Sequence, residues 1–452
     1  MKAKQKGLVL FITFLFTLPS LQALTQQTRP GQERMRRGVE RGRQGHTLHP
    51  DTGVKPEADR EYASDHILVK FNPVLTTQHV DSMVRAYGSR TSRMIPVVGL
   101  YRVDVPGGST VEEMVAAWNQ NYFVEYAKPD YIARVAVTPN DLFFTEQYAL
   151  SNTGQVLIPG SPGGTPNADI SATTAWEETK GDENILIAII DTGVDLVHPD
   201  LVNKVASPGK DFVNGDDDAT DDHWHGTSVA GIAAAETNNG IGIAGVAWNC
   251  MILPVKVMDD EGSGYYSDVI EGIIWAVDNG AHVLNLSVGG DVDDPDLEAA
   301  VRYAFQNGAV VVASSGNEGA SVVYPAAYDN YVLAVASTDQ DDVRSPSSNF
   351  GTEIDVAAPG DVVMTTYPVW DTPPGFHPYV YASGTSFSAP HVSGMAALIL
   401  SIKPWMAVSD IMNVIRYTAD DVNADEYPGP DDYIGYGRIS LDTALVPIPI
   451  KK

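Results

Sequence analysis

The chain has 452 residues, 44% of them hydrophobic, enough for more than one domain and a large buried core. Its 29 Lys and Arg against 58 Asp and Glu give a formal net charge of −29. That excludes nucleic acid as the main partner, because phosphate binding needs a basic surface, and the single cysteine, Cys250, excludes an intramolecular disulfide.

Lys2, Lys4 and Lys6 precede an almost wholly apolar run, Gly7 to Leu18, and Ala23 offers a cleavage point. This predicts a signal peptide over residues 1–23 and a secreted protein, with an uncleaved anchor as the alternative. The run is short for a membrane span and no other stretch is long enough, so no stable membrane partner is expected. Residues 24–63, rich in Gln, Arg, Gly and Pro, cannot bury enough apolar surface to fold and read as a disordered linker.

A small α+β pattern follows over residues 64–136. His66 to Phe71 alternates like a strand, Thr77 to Tyr87 has helical spacing, and Leu100 to Val105 alternates again. Ser109-Thr-Val-Glu112 reads as a capping box before a helix reaching Asn121, and Val124 to Ala127 and Tyr131 to Val137 read as short strands. The arrangement predicted is ferredoxin-like.

Residues 137–452 carry the main body. Ile185–Ile190, Met251–Val257, His282–Val288, Ala309–Ala313 and Tyr331–Ala336 are near-continuous apolar runs separated by helical patterns. Such runs suit parallel strands covered on both faces, so an α/β fold with a doubly wound, mostly parallel sheet is predicted. Sites on such sheets lie beyond the carboxyl ends of the strands. From Val137 onward 45 acidic residues face 11 basic ones, whereas 18 basic face 13 acidic before it. The acidity serves solubility, or part of it binds a hard cation. Cys250 lies in an apolar stretch and reads as a core thiol.

Three segments carry chemistry. Ile187-Ala-Ile-Ile-Asp191 is a buried strand ending in a carboxylate. His225-Gly-Thr-Ser-Val-Ala-Gly231 starts a small-residue helix with an imidazole. Gly384-Thr-Ser386-Phe-Ser-Ala-Pro390 puts a serine at a helix entrance, with a proline expected in the first turn. A serine hydroxyl needs a base to take its proton, and that base needs an orienting carboxylate. Each residue alone has a plain structural reading, as cap, turn or core residue; together they supply a complete constellation.

These segments resemble the three signature motifs of the subtilisin-like serine proteases, the subtilases, in their thermitase-like branch. The resemblance covers Thr138 to Leu445. It implies Asp191 as orienter, His225 as base then acid, and Ser386 as nucleophile. Val310 to Gly319 resembles the oxyanion-hole segment, with Asn317 donating from its side chain. Gly262, Ser263 and Gly264, and Ser287, Val288 and Gly289, resemble the two edges that hold an extended peptide as an added strand. Glu318 resembles a rim residue of the primary pocket, Val323 bears on its depth, and the Tyr324–Pro325 bond is expected to be cis.

The resemblance also implies Ca2+. Asp211, Asn214, Asp216, Asp218 and Thr220 match a calcium loop just before His225, although a solvated acidic turn reads as well. Asp141, Asp200, Glu236, Asn239, Ile241 and Ile243 match a second, stronger site, the last two and Glu236 through carbonyls. His198 and His223 lack zinc spacing. The front domain resembles an inhibitory propeptide, cleaved near Ala136 and Val137. The expected function is a secreted, self-processing endopeptidase acting on protein or peptide substrates, with its own propeptide as intramolecular inhibitor. A catalytically silent binding protein on the same fold is the alternative. An esterase of the nucleophile-elbow type does not match the order Asp, His, Ser.

Overall fold

In this computed structural model the described residues are 62–445 apart from 74, 132–136 and 208. They fall into two compact units, 62–131 and 137–445. The expected signal peptide, most of the linker and Ala136 at the expected cleavage point lie outside the described residues.

The front unit runs β1 (Tyr62–Phe71), α1 (Thr77–Ala86), β2 (Thr91–Ile95), β3 (Leu100–Asp104), α2 (Val111–Asn119) and β4 (Val124–Tyr131). Its antiparallel sheet has the order β2-β3-β1-β4. Ile67, Val69 and Phe71, alternate residues of β1, are buried with Val80 and Val84 of α1 and Met114 and Trp118 of α2. Period-two alternation therefore gives the sheet one face for both helices. Three expectations shift. The strand starts at Tyr62, inside the expected linker, because Tyr62 pairs with Tyr131. The capping box is Thr110 with Glu113, one residue on from the expected pair, since Thr110 Oγ1 accepts from the Glu113 N–H and Glu113 accepts from the Thr110 N–H. The first of the two short strands expected after Asn121 runs on to Tyr131 as β4; the second, Tyr131 to Val137, falls mostly outside the described residues.

The second unit holds α3 (Ala172–Ala175), β5 (Leu186–Asp191), β6 (Lys210–Asp211), α4 (His225–Ala234), β7 (Met251–Lys256), α5 (Tyr266–Asp278) and β8 (Val283–Leu286). It continues with α6 (Pro295–Gln306), β9 (Val310–Ser314), β10 (Val332–Thr338), β11 (Ile354–Pro359), β12 (Val363–Thr366) and β13 (Tyr379–Ala382). Last come α7 (Thr385–Ile402), α8 (Val408–Tyr417) and α9 (Leu441–Leu445). Seven strands form one parallel sheet in the order β11-β10-β9-β8-β5-β7-β6. Ile187 and Ile189 of β5 pack with α4, α7 and α8, whereas Ala188 and Ile190 pack with α5 and α6. Both faces are covered, which is why β5 reads as an unbroken apolar run. Burying each such isoleucine contributes roughly 1.5–3 kcal/mol.

Among the described residues one helix, α7, is long and apolar enough to cross a membrane, and 89% of it is buried inside the protein. It is the core helix of this unit. The Gly/Pro-rich segment Asn152 to Ala168 is pinned by Asn152, whose Nδ2 donates to the Ala168 and Gln340 carbonyls at 3.1 and 2.9 Å. A side chain at Gly163 would collide with the Gly154 carbonyl, so the glycine is required by close approach.

Candidate active site

Strands β5, β8 and β9 deliver their ends to one rim of the sheet, where the first turns of α4 and α7 meet them. Asp191, the last residue of β5, is fully buried. Its Oδ1 and Oδ2 lie 2.8 and 3.0 Å from His225 Nδ1, and Oδ1 also accepts the Thr192 N–H at 2.7 Å. Although burial works against its charge, the neighbouring Asp191 carboxylate holds the His225 pKa above its ordinary value.

Asp221 organises the approach to His225. Its Oδ1 accepts the His223 and Trp224 N–H groups at 3.0 and 3.1 Å and the Thr192 hydroxyl at 2.9 Å. Its Oδ2 accepts the Thr227 N–H at 3.0 Å and the Thr227 hydroxyl at 2.5 Å. One buried carboxylate thus ties the end of β5 to the first turn of α4. Trp224 sits at φ 140°, ψ −28°, a region that L side chains avoid. Such a conformation costs on the order of 1–3 kcal/mol and persists only where surroundings enforce it.

Ser386 is the second residue of α7 and is 9% exposed. Its hydroxyl donates to the Ser287 carbonyl at 3.1 Å, and the Ser287 hydroxyl donates to the Ser386 carbonyl at 2.8 Å. Pro390, expected in the first turn, lies in the second. Having no N–H, it cannot bond the carbonyl four residues back, which is that of Ser386. Ser287 supplies the missing donor. The Phe387 ring, beside Ser386, is 5.5 Å from the His225 ring, which brings base and hydroxyl elements together.

The residue before α7 is Gly384, with no side chain to cap the helix. Asn317 caps it from the loop after β9: its Oδ1 accepts the Thr385 N–H at 2.8 Å and the Thr385 hydroxyl at 3.1 Å. This fixes the amide's orientation and leaves its NH2 end for another acceptor.

A cavity of about 390 Å³ joins Asp191 and His225 to Gly262, Ser263 and Gly264 on one side and Ser287, Val288 and Gly289 on the other. The two expected edges therefore line one cleft with the imidazole. Glu318 and Val323 are not among its lining. The Glu318 carboxylate turns back to accept the Asn317 N–H at 2.8 Å and Asn349 Nδ2 at 3.1 Å. Val323 lies beneath Gly289, where a side chain would meet it at 2.6 Å. The Tyr324–Pro325 bond is cis. His223 and Tyr266 also line the cavity; the sequence marked neither as a cleft residue. Asp221 could have been found as a capping carboxylate just before a helix start.

Among the described residues no three His, Cys, Asp or Glu side chains converge as a metal cluster. Oxygen sites built partly from carbonyls and amides are a different case. Asp141 and Asp200 are buried and meet the 236–243 loop. Asp141 accepts the Asn238 and Asn239 N–H groups at 2.8 and 3.3 Å. Asp200 accepts Asn239 Nδ2 and the Ile243 N–H, each at 2.9 Å. Burial, with the Asp141 charge adding to it, pushes the Asp200 pKa up to about 6. Among the described residues no Lys or Arg pairs with either carboxylate, so this site suits a hard cation. Glu236 donates its N–H to the Asp200 backbone carbonyl at 2.8 Å, while its carboxylate accepts from Asn203 at 2.8 Å; Ile241 donates its N–H to Asn239 Oδ1 at 2.9 Å.

The Asp211–Thr220 loop differs. Asp211 accepts the Asn214 N–H and Nδ2 at 2.9 and 2.8 Å. Asp216 accepts the Asp218 N–H at 3.0 Å, and Asp218 accepts the Thr220 hydroxyl at 2.6 Å. These hydrogen bonds all run within the loop.

Residues 182–437 match the model of the subtilase family, and residues 49–130 match the fervidolysin N-terminal prodomain. The thermophilic serine proteinase of Bacillus sp. (strain AK1) is 45% identical over 337 residues, 74% of this chain and 76% of that protein. Thermitase of Thermoactinomyces vulgaris is 44% identical over 277 residues, 61% of this chain and 93% of it. A protease from Pseudoalteromonas arctica PAMC 21717 superposes with a TM-score of 0.59 at 31% identity, covering 68% of this chain and 99% of that one. A parallel α/β sheet with these relatives defines a serine endopeptidase preceded by a prodomain. The chain belongs to the subtilase family.

Proposed function

We propose that this endopeptidase is secreted as a self-processing zymogen and cuts polypeptides through an acyl-enzyme formed on Ser386. The observation that carries this reading is the buried Asp191–His225 contact beside the N-terminus of α7. Ser386 Oγ attacks the scissile carbonyl as His225 takes its proton, and Asp191 stabilises the imidazolium. The oxyanion receives the Asn317 NH2 group and the Ser386 N–H, aided by the positive end of the α7 dipole. His225 then protonates the leaving amine, and water releases the acyl group. The glycine-lined edges accept the substrate backbone, which favours broad sequence tolerance. The front unit inhibits the enzyme until its removal near Ala136 and Val137.

Asp141, Asp200 and Asn239, with carbonyls of Glu236, Ile241 and Ile243, would hold Ca2+. The ion would supply charge balance to two buried carboxylates and so stabilise the fold.

Two measurements test the chemistry. Asn317→Ala should lower kcat by ~10²–10³ with little change in KM, the loss established for the corresponding donor in a subtilisin; an unaltered kcat would remove Asn317 from the oxyanion site. Because His225 must be neutral to act and its pKa lies above its ordinary value of 6.5, kcat/KM should climb with pH, with a midpoint above 6.5. Asp191→Asn removes the charge that raises it, so the midpoint should move to lower pH as the rate falls. A midpoint indifferent to Asp191 would contradict the pairing.

A further inference from the structure

We propose that Trp224 is a positioning residue that confines the His225 imidazole against Ser386. The inference rests on His225 acting as the general base. Glycine would hold φ 140° without strain, yet this chain places its bulkiest side chain there. The indole's contacts must therefore offset the strain, and they point to the site. Its ring stacks on His223 at 5.3 Å and on Phe387 at 6.4 Å, with interplanar angles of 25° and 19°. It meets His225 edge to face at 5.6 Å and 73°. Tyr367 lies against it at 6.3 Å.

Asp191 grips only one nitrogen of the imidazole, and a ring held at one atom can swing about that contact. Trp224 and Phe387 flank the ring and remove that freedom. Phe387 follows the nucleophile in sequence, so the indole touches the base and the neighbour of the hydroxyl at once. Asp221 fixes the other end of the device by accepting the Trp224 N–H at 3.1 Å. The strained backbone thus aims an aromatic wedge between the two elements that must meet.

The test uses the full chain, matured and active-site titrated, with a peptide anilide as substrate. Trp224→Gly keeps the backbone conformation and deletes the wedge. Its kcat per titrated site should fall roughly tenfold to a hundredfold, the range that a misplacement of about 1 Å costs, with KM unchanged. Trp224→Phe should restore most of that loss. Trp224→Ala, an L residue under the same backbone constraint as the native tryptophan, repeats the deletion if the glycine variant does not accumulate. Wild-type kcat in both deletion variants overturns the proposal. So does a loss that Phe does not restore, or a rise in KM at constant kcat. Activity retained in His225→Ala would instead overturn the assignment of the base, which keeps the two failures distinct.

Discussion

Ser386→Ala is expected to abolish hydrolysis of casein and to leave the purified precursor uncut near Ala136 and Val137. The expected fall in kcat is of order 10⁶, as removal of the nucleophile costs in a subtilisin. The residual rate reflects oxyanion and substrate binding alone, because Asn317 and the glycine-lined edges remain. The structural change is small: the hydroxyl's bond to the Ser287 carbonyl disappears, while the reciprocal bond from Ser287 Oγ to the Ser386 carbonyl stays. Melting temperature should therefore barely move. Intact mass measured over time decides the matter. A purified Ser386→Ala chain that matures at the same bond as wild type would sink both the nucleophile and self-processing.

Stripping calcium should lower the melting temperature by on the order of 10 °C. An ion present at a thousand times its Kd adds about 4 kcal/mol to a folded state, and each kcal/mol moves a large domain by about 2–4 °C. Without disulfides, the mature chain has no covalent crosslink to compensate. The variant Asp200→Asn discriminates the cause. It deletes one of two buried carboxylates, so it should lose the response to chelator. In chelator it should melt no lower than wild type, since the repulsion with Asp141 is gone. An unchanged wild-type melting curve, with metal loss confirmed by elemental analysis, removes the calcium proposal.

The sheet was legible because burial on both faces leaves an unmistakable trace. Ile187 to Ile190 cannot alternate when odd and even residues enter different cores. Strands β11 to β13 left no such trace. Asp355 interrupts β11 and is held there by Arg416 at 2.6 Å, a pairing that only the tertiary fold creates. Strands β12 and β13 pair with each other outside the main sheet. At the site, Asp191, His225 and Ser386 stood out through their flanking small residues. Asp221 and Trp224 did not, because their roles arise from contacts between elements distant in the chain. The resemblance puts Glu318 on a pocket rim; what it could not show is that this exposed carboxylate accepts the Asn317 N–H of its own loop.

The reciprocal bonds between Ser287 and Ser386 carry a lesson for anyone wishing to retarget the enzyme. Ser287 is an obvious position to diversify, since it lines the cleft beside His225. Its hydroxyl also stands in for the donor that Pro390 lacks, so libraries randomised there would sample broken α7 turns more often than new preferences. Gly289 is constrained differently, by Val323 beneath it. A screen that first shortens Val323 and only then varies residue 289 explores recognition while leaving the helix that carries the nucleophile intact.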